Sequence, residues 1–214
     1  LFQALLSDKI RMSYWEWEQI VENKLDGPSH EGRMMGCLAR VPELMRRGRG
    51  AMEEGHALVE LQSEARCLYD AMKLDLGDLR DRFVKQETVQ ASSMVAVMVH
   101  SHYQRTYALA LAISSILNRI LSILDPLDIS LAWEAAQWSD EIFVLAEKAA
   151  LYRPIAASYI PLCLILAWGC SREDAKRSKV KAKLEDYLQD FSYTKVEVST
   201  TELDAIFSRL RLGG

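Results

Sequence analysis

The residues able to do chemistry are few in this chain, and their spacing works against it. A di-iron bundle needs two Glu-x-x-His motifs with two further inward carboxylates. One such motif occurs, Glu53-Glu54-Gly55-His56, set among glycines. His100 and His102 stand two positions apart, which on a helix turns their side chains roughly 200° from each other. They cannot grip one ion. Magnesium-assisted diphosphate chemistry needs clustered aspartates on a helix. Asp125 and Asp128 flank Pro126 with no third partner, and Asp140-Glu141 reads as a surface pair. The chain holds no G-x-S-x-G, no phosphate loop and no Gly-rich dinucleotide turn. Cys37, Cys67, Cys163 and Cys170 lie far apart in apolar contexts, without a C-x-x-C pair. They read as free buried thiols of a reducing compartment rather than ligands. The residues therefore predict no catalytic group, no metal ligand and no cofactor.

Nucleic-acid chemistry is tested next. Arg172, Lys176, Arg177, Lys179, Lys181 and Lys183 could meet phosphates. However, Glu173, Asp174, Glu185 and Asp186 interrupt them, and no base-reading motif accompanies them. They read as a solvated helix face. Arg46, Arg47 and Arg49 read as complements to a helix C-terminus. A net charge of -4 over 214 residues gives no general attraction to nucleic acid or anionic membrane.

The elements that carry these residues are helical throughout. Residues 99–124 contain no Gly or Pro and only two fixed charges, Arg105 and Arg119. Leu109, Ile113, Ile116, Ile120 and Ile123 step by fours and threes, with Leu117 and Leu124 on the neighbouring row. Only a narrow row, Ser101, Arg105, Ala108, Ala112, Ser115, Arg119 and Ser122, is small or polar. A helix so apolar over most of its circumference must be covered from several sides.

Around it, residues 2–24 read as a first helix, with Ile10, Tyr14, Trp17 and Val21 on one face and Trp15 widening it. The turn Asp26-Gly27-Pro28-Ser29 ends it. Residues 32–48 form a second helix on Met34, Leu38, Val41 and Met45, with Pro42 as a kink or restart. Residues 52–86 carry a seam of Leu58, Leu61, Ala65, Leu68, Met72, Leu76, Leu79 and Phe83. Gly77 divides it, and the seam reads as an internal contact ridge before a dimer coiled coil. Residues 84–93 are a polar connector. Residues 128–152 give a helix on Leu131, Ala135, Trp138, Ile142, Leu145, Ala149 and Tyr152, capped by Asp128 or Ser130. Trp133, Trp138 and Trp168 are expected in the core.

Residues 154–171 are uncharged and just reach spanning length, but Pro154 and Pro161 interrupt them. They predict a buried helix beginning near Pro161, with Gly169 as its stop. Residues 172–191 form a charged helix with Val180, Leu184, Tyr187 and Phe191 apolar. Residues 195–198 alternate like a short strand, and 201–210 give a last short helix. The whole predicts one all-α domain over 1–214, an irregular multi-helix bundle around one long central apolar helix. Peripheral helices occupy 1–50, the core bundle 51–170, and a charged helix and tail 171–214. The opening at Leu1 rather than Met predicts a piece of a longer polypeptide.

Several short motifs carry a resemblance. His102-Tyr103 early in the central helix, then Ile116-Leu117-Asn118-Arg119-Ile120-Leu121, resemble the C-terminal regulatory domain of fungal zinc-cluster transcription factors. Tyr152-Arg153-Pro154-Ile155-Ala156-Ala157-Ser158 is similar to that family's Arg-Pro-Leu-Gly-Ala signature. Leu166-Ala167-Trp168 matches the end of its apolar segment. Ile155 and Ala156 depart from the usual Leu and Gly. The six-cysteine module through which the family reads DNA is absent from this chain.

The resemblance implies a nuclear, non-catalytic regulatory domain that acts through a protein partner, a second copy of itself or a small-molecule effector. DNA would be reached only through the missing zinc module, and no membrane is involved. His102, Tyr103, Asn118, Arg119, Arg153, Pro154, Ala157 and Trp168 are its signature positions, and they read as structural. Asn118 and Arg119 are expected to tie helices together, and Arg153 to cap the carbonyls ending the helix before it. Two alternatives stay open: a helical enzyme of fungal metabolism holding an apolar substrate in the bundle, and a stand-alone coregulator without its own DNA-binding module. Ile113→Asp, which puts an unpaired charge on the central helix, should abolish the helical circular dichroism signal. A soluble variant with unchanged helicity would place position 113 outside the core.

Overall fold

The computed structural model describes residues 29–54, 58–87, 94–171 and 173–190. Among them run six α-helices: α1 (His30–Glu54), α2 (Leu58–Glu87), α3 (Met94–Leu124), α4 (Ile129–Ala149), α5 (Ile160–Cys170) and α6 (Asp174–Leu188). A 3-10 turn, Ala150–Tyr152, follows α4. The architecture is an all-α, irregular bundle built around α3, which packs against α1, α2, α4 and α5. From Thr106 to Ser122 only Leu109 on α3 escapes full burial. The helix is long and apolar enough to cross a membrane, yet its most apolar stretch is 89% buried among its neighbours. Its apolarity is consumed by packing.

Three neighbours hold α3 in fixed registers. Along α2, Phe83 stacks on Tyr107 and Tyr69 meets Asn118, so α2 and α3 are antiparallel. Along α4, Asn118 bonds the Leu131 carbonyl, Tyr107 bonds Glu141, and Gln104 bonds the Leu145 carbonyl, again antiparallel. The small row of α3 is the seat of α5. Cys163 Sγ lies 3.5 Å from the Ala108 carbonyl, and Cys170 Sγ 3.3 Å from that of Ser115. One heptad separates the two contacts on each helix, as in parallel helices of matched pitch. Small side chains at Ala108, Ala112 and Ser115 permit this approach.

The helices α2 and α4, both antiparallel to α3, run parallel to each other and share an edge of ion pairs. Lys73 meets Glu134, Arg80 Nε lies 3.5 Å from Glu141, and Glu87 lies 2.5 Å from Lys148. These pairs recur every seven residues on both helices, and Arg66 adds Asp125 and Asp128 at the upper end. The seam of α2 from Leu61 to Phe83 is buried within this single chain, while Leu58 at its start is exposed.

Several boundaries differ from the sequence reading. Gly77 does not divide the seam, because α2 runs through it. Its exposed backbone costs about 1 kcal/mol of helix propensity, which burial of Leu76, Leu79 and Phe83 outweighs. Pro42 neither restarts nor ends α1. The lost hydrogen bond there is offset by burial of Leu38, Val41, Leu44 and Met45. The central helix is helical from Met94 rather than only from residue 99, and α2 includes residues 84–87 of the expected connector. Asp128 is the cap of α4, its carboxylate accepting from the Ser130 amide at 3.0 Å. Gly169 lies inside α5, whose 11 residues span only about 16 Å. The expected helix over 2–24, the strand-like 195–198, the helix over 201–210, His56, Arg172 and Phe191 lie outside the described residues.

A Cβ added at Gly77 would meet nothing within 4 Å. Gly77→Ala should therefore raise the unfolding free energy by about 0.5–1 kcal/mol, read as an increase in the urea midpoint at unchanged slope.

Candidate functional site

Several of the polar groups that enter the bundle meet one another. Asn118, 1% exposed, donates from Nδ2 to Tyr69 Oη at 2.9 Å and to the Leu131 carbonyl at 3.0 Å. Tyr69 in turn donates to Glu134, which also takes Lys73 Nζ. The chain Lys73–Glu134–Tyr69–Asn118 thus joins α2, α3 and α4, with the Trp138 ring 5.7 Å from that of Tyr69. Burial, and next the bond to Glu134, push the Tyr69 phenol far above its ordinary value. It keeps its proton and serves as a fixed donor. Tyr107 repeats the device one heptad lower on α4, donating to Glu141 at 2.6 Å, and burial raises it as well.

The three buried thiols are raised too. Burial pushes Cys37 up to about 11, and Cys163 and Cys170 up to about 12. A nucleophilic cysteine needs the opposite shift. Cys67 departs from the expected burial and is exposed. It sits one position before the buried Leu68, about 100° around the helix, beside a shallow groove of about 570 Å³ with Arg40, Val59 and Glu64. A small cleft of about 130 Å³ lies between α4 and the α5–α6 junction, against Ala132, Ala136, Cys170 and Lys176.

The signature positions do not form one site. His102 and Tyr103 lie on the lower half of α3. His102 is exposed, 3.9 Å from Glu31 of α1, and Tyr103 is half-buried. Asn118 and Arg119 lie about 24 Å further along the axis. Asn118 ties the helices together as the sequence reading expects. Arg119 is 7% exposed on the side of Cys170.

Arg153 does cap helix carbonyls, but of a different helix. Its guanidinium donates to the Asp186 carbonyl at 2.6 Å, to the Asp186 carboxylate at 2.8 Å and to Asp190 at 2.5 Å. It lies 4.5 Å over the Tyr187 ring, so it clasps the end of α6 rather than that of α4. Pro154, joined to Arg153 by a cis peptide, is exposed, and Ala157 is buried in the turn that leads into α5. Trp168 is half-buried under Arg177, 4.1 Å from its ring.

The basic run on α6 is less free than a solvated face. Lys176 pairs with Asp140 at 2.9 Å, and Lys179 lies 4.2 Å over the Phe143 ring. Trp138 is a core residue, but Trp133 is 69% exposed, since two positions from the buried Leu131 point it away from the core. With Leu127 and Ile129, exposed to 88% and 86%, it makes an apolar corner at the α3–α4 turn. Sequence spacing missed the partnership of Tyr69 and Glu134, whose signal is only a hydroxyl beside a buried seam. No family model, no curated protein and no solved structure matches the chain.

The Asp128 carboxyl is held below its ordinary value first by the Ser130 hydroxyl and then by Arg66. Its contribution to stability is whole above about pH 4, the unfolded value, and is lost as the pH falls through the lower folded value. Asp128→Ala should therefore cost about 1 kcal/mol at neutral pH. In urea titrations the gap from wild type should narrow steadily as the pH falls below about 4.

Proposed function

We propose that this chain is a non-catalytic, helical regulatory domain of the kind found in fungal zinc-cluster transcription factors, working in the nucleus through contact with a protein partner. The observation that carries the reading is how the polar groups of the core are used. Asn118, Tyr69, Tyr107, Glu134 and Glu141 are engaged with each other across helices, and the buried thiols and phenols hold their protons. Such groups define a scaffold rather than a substrate pocket. The exposed corner of Leu127, Ile129 and Trp133 supports the same reading, because aromatic anchors on a rigid turn suit protein contact. The signature positions contribute as structural parts: Asn118 joins three helices, and Arg153 fastens the last one.

Fused to a heterologous DNA-binding domain in a fungal reporter strain, the full chain should change reporter output several-fold. Ile129→Asp/Trp133→Ala should remove most of that change while leaving the circular dichroism spectrum intact. An unchanged reporter with the well-expressed wild-type fusion would rule the regulatory reading out.

A further inference from the structure

The helix α4 carries a second face, turned directly away from the core. Leu131, Trp138 and Ile142 are buried. Glu134 and Lys148 reach Lys73 and Glu87 of α2, and Phe143 lies under Lys179 of α6. About half a turn around the helix from Leu131 stand Trp133, Gln137, Asp140 and Val144. Trp133 and Val144 are exposed to 69% and 46%, and Gln137 and Asp140 are exposed as well. Their steps of four, three and four are those at which one helix lies along another. Leu127 and Leu151, exposed to 88% and 87%, flank the row at its two ends.

We propose that two copies of this chain associate through this face, their α4 helices antiparallel about a two-fold axis between Gln137 and Asp140. Three features select a second copy as the occupant. The first is order. Read from either end the row is apolar, polar, polar, apolar. Antiparallel packing therefore sets Trp133 against the partner's Val144, and the reverse, with Leu127 at one end over the partner's Leu151. The second is polar complementarity. The Gln137 amide donates and the Asp140 carboxylate accepts, and they fall opposite each other twice. Lys176, 2.9 Å from Asp140, tempers the repulsion between the two carboxylates. A parallel register would instead stack Asp140 on its own copy. The third is area. The side chains of Leu127, Ile129, Trp133, Val144 and Leu151 leave roughly 600 Å² of apolar surface in water, against about 800 Å² per partner in a standard interface. This names the partner of the corner on which the regulatory reading draws, and it rests on that reading for any part in transcription.

Sedimentation equilibrium of the full chain tests it. At tens of micromolar the wild type should have twice the mass of one chain. Trp133→Lys and Val144→Glu should each weaken the association at least about tenfold, with the far-ultraviolet circular dichroism unchanged. Mixed in equal amounts, the two variants should associate again to within about threefold of wild type. The introduced ammonium then meets the introduced carboxylate, while the other Trp133–Val144 pair is intact. Gln137→Glu, at an exposed position, sets carboxylates against each other and should weaken association at least about threefold. A monomeric wild type overturns the proposal, as does a dimer that any single variant leaves unchanged, or a mixture that stays monomeric. No reporter is read in this experiment, so a monomer leaves the regulatory reading standing, and a silent reporter leaves the dimer standing.

Discussion

The fold depends on one constraint: α3 is too apolar to face water on any side for most of its length. Four other helices are arranged by that requirement. The large row of α3, with Leu117, Ile120 and Leu121 fully covered, takes α2 and α4, whose own seams are broad. The small row takes α5, the most apolar of the short helices, because only Ala108, Ala112 and Ser115 let a backbone come near. Burial of this kind is not directional. By itself it would tolerate several sliding registers of each partner.

Polar contacts choose among those registers. The bond from Asn118 to the Leu131 carbonyl sets α4 against α3, and the Tyr69 hydroxyl sets α2 against both. The ion pairs of α2 with α4 recur one heptad apart, so a slip of one residue would break all of them together. Each exposed pair contributes little energy alone. Their common spacing is what matters, since it penalises the wrong alignment as a set. The buried Asn118–Tyr69–Glu134 chain has a sharper effect, because a misaligned bundle would leave those groups dry and unbonded. Arg153 does the same for α6, whose Val180, Leu184, Tyr187 and Leu188 are buried in the core and whose end is held by a guanidinium on three acceptors and an aromatic ring.

The chemistry follows from this division of labour. Among the described residues, Tyr69, Tyr107 and Asn118 are committed to carboxylates, carbonyls or one another, and burial pushes Cys37, Cys163 and Cys170 toward their protonated forms. What remains for recognition lies outside: the apolar corner at Leu127, Ile129 and Trp133, the half-covered lower face of α3, and the charged outer side of α2.

The helical class, the central place of residues 99–124 and the buried ridge of α2 were legible from spacing alone, because a period of 3.6 exposes which face must be covered. The seven-residue spacing of core positions in α1 and the cap at Asp128 were legible for the same local reason. Gly77 misled, and Pro42 does not restart its helix, since their costs are local and about the size of one or two buried side chains, which the chain supplies from elsewhere. Trp133, Cys67 and the target of Arg153 were decided only by tertiary structure. Each depends on which side of its element meets another element, and the period of one helix says nothing of where a helix sixty residues away will lie. The pairing of Tyr69 with Glu134 is of that kind, a contact made by packing and invisible to any local pattern.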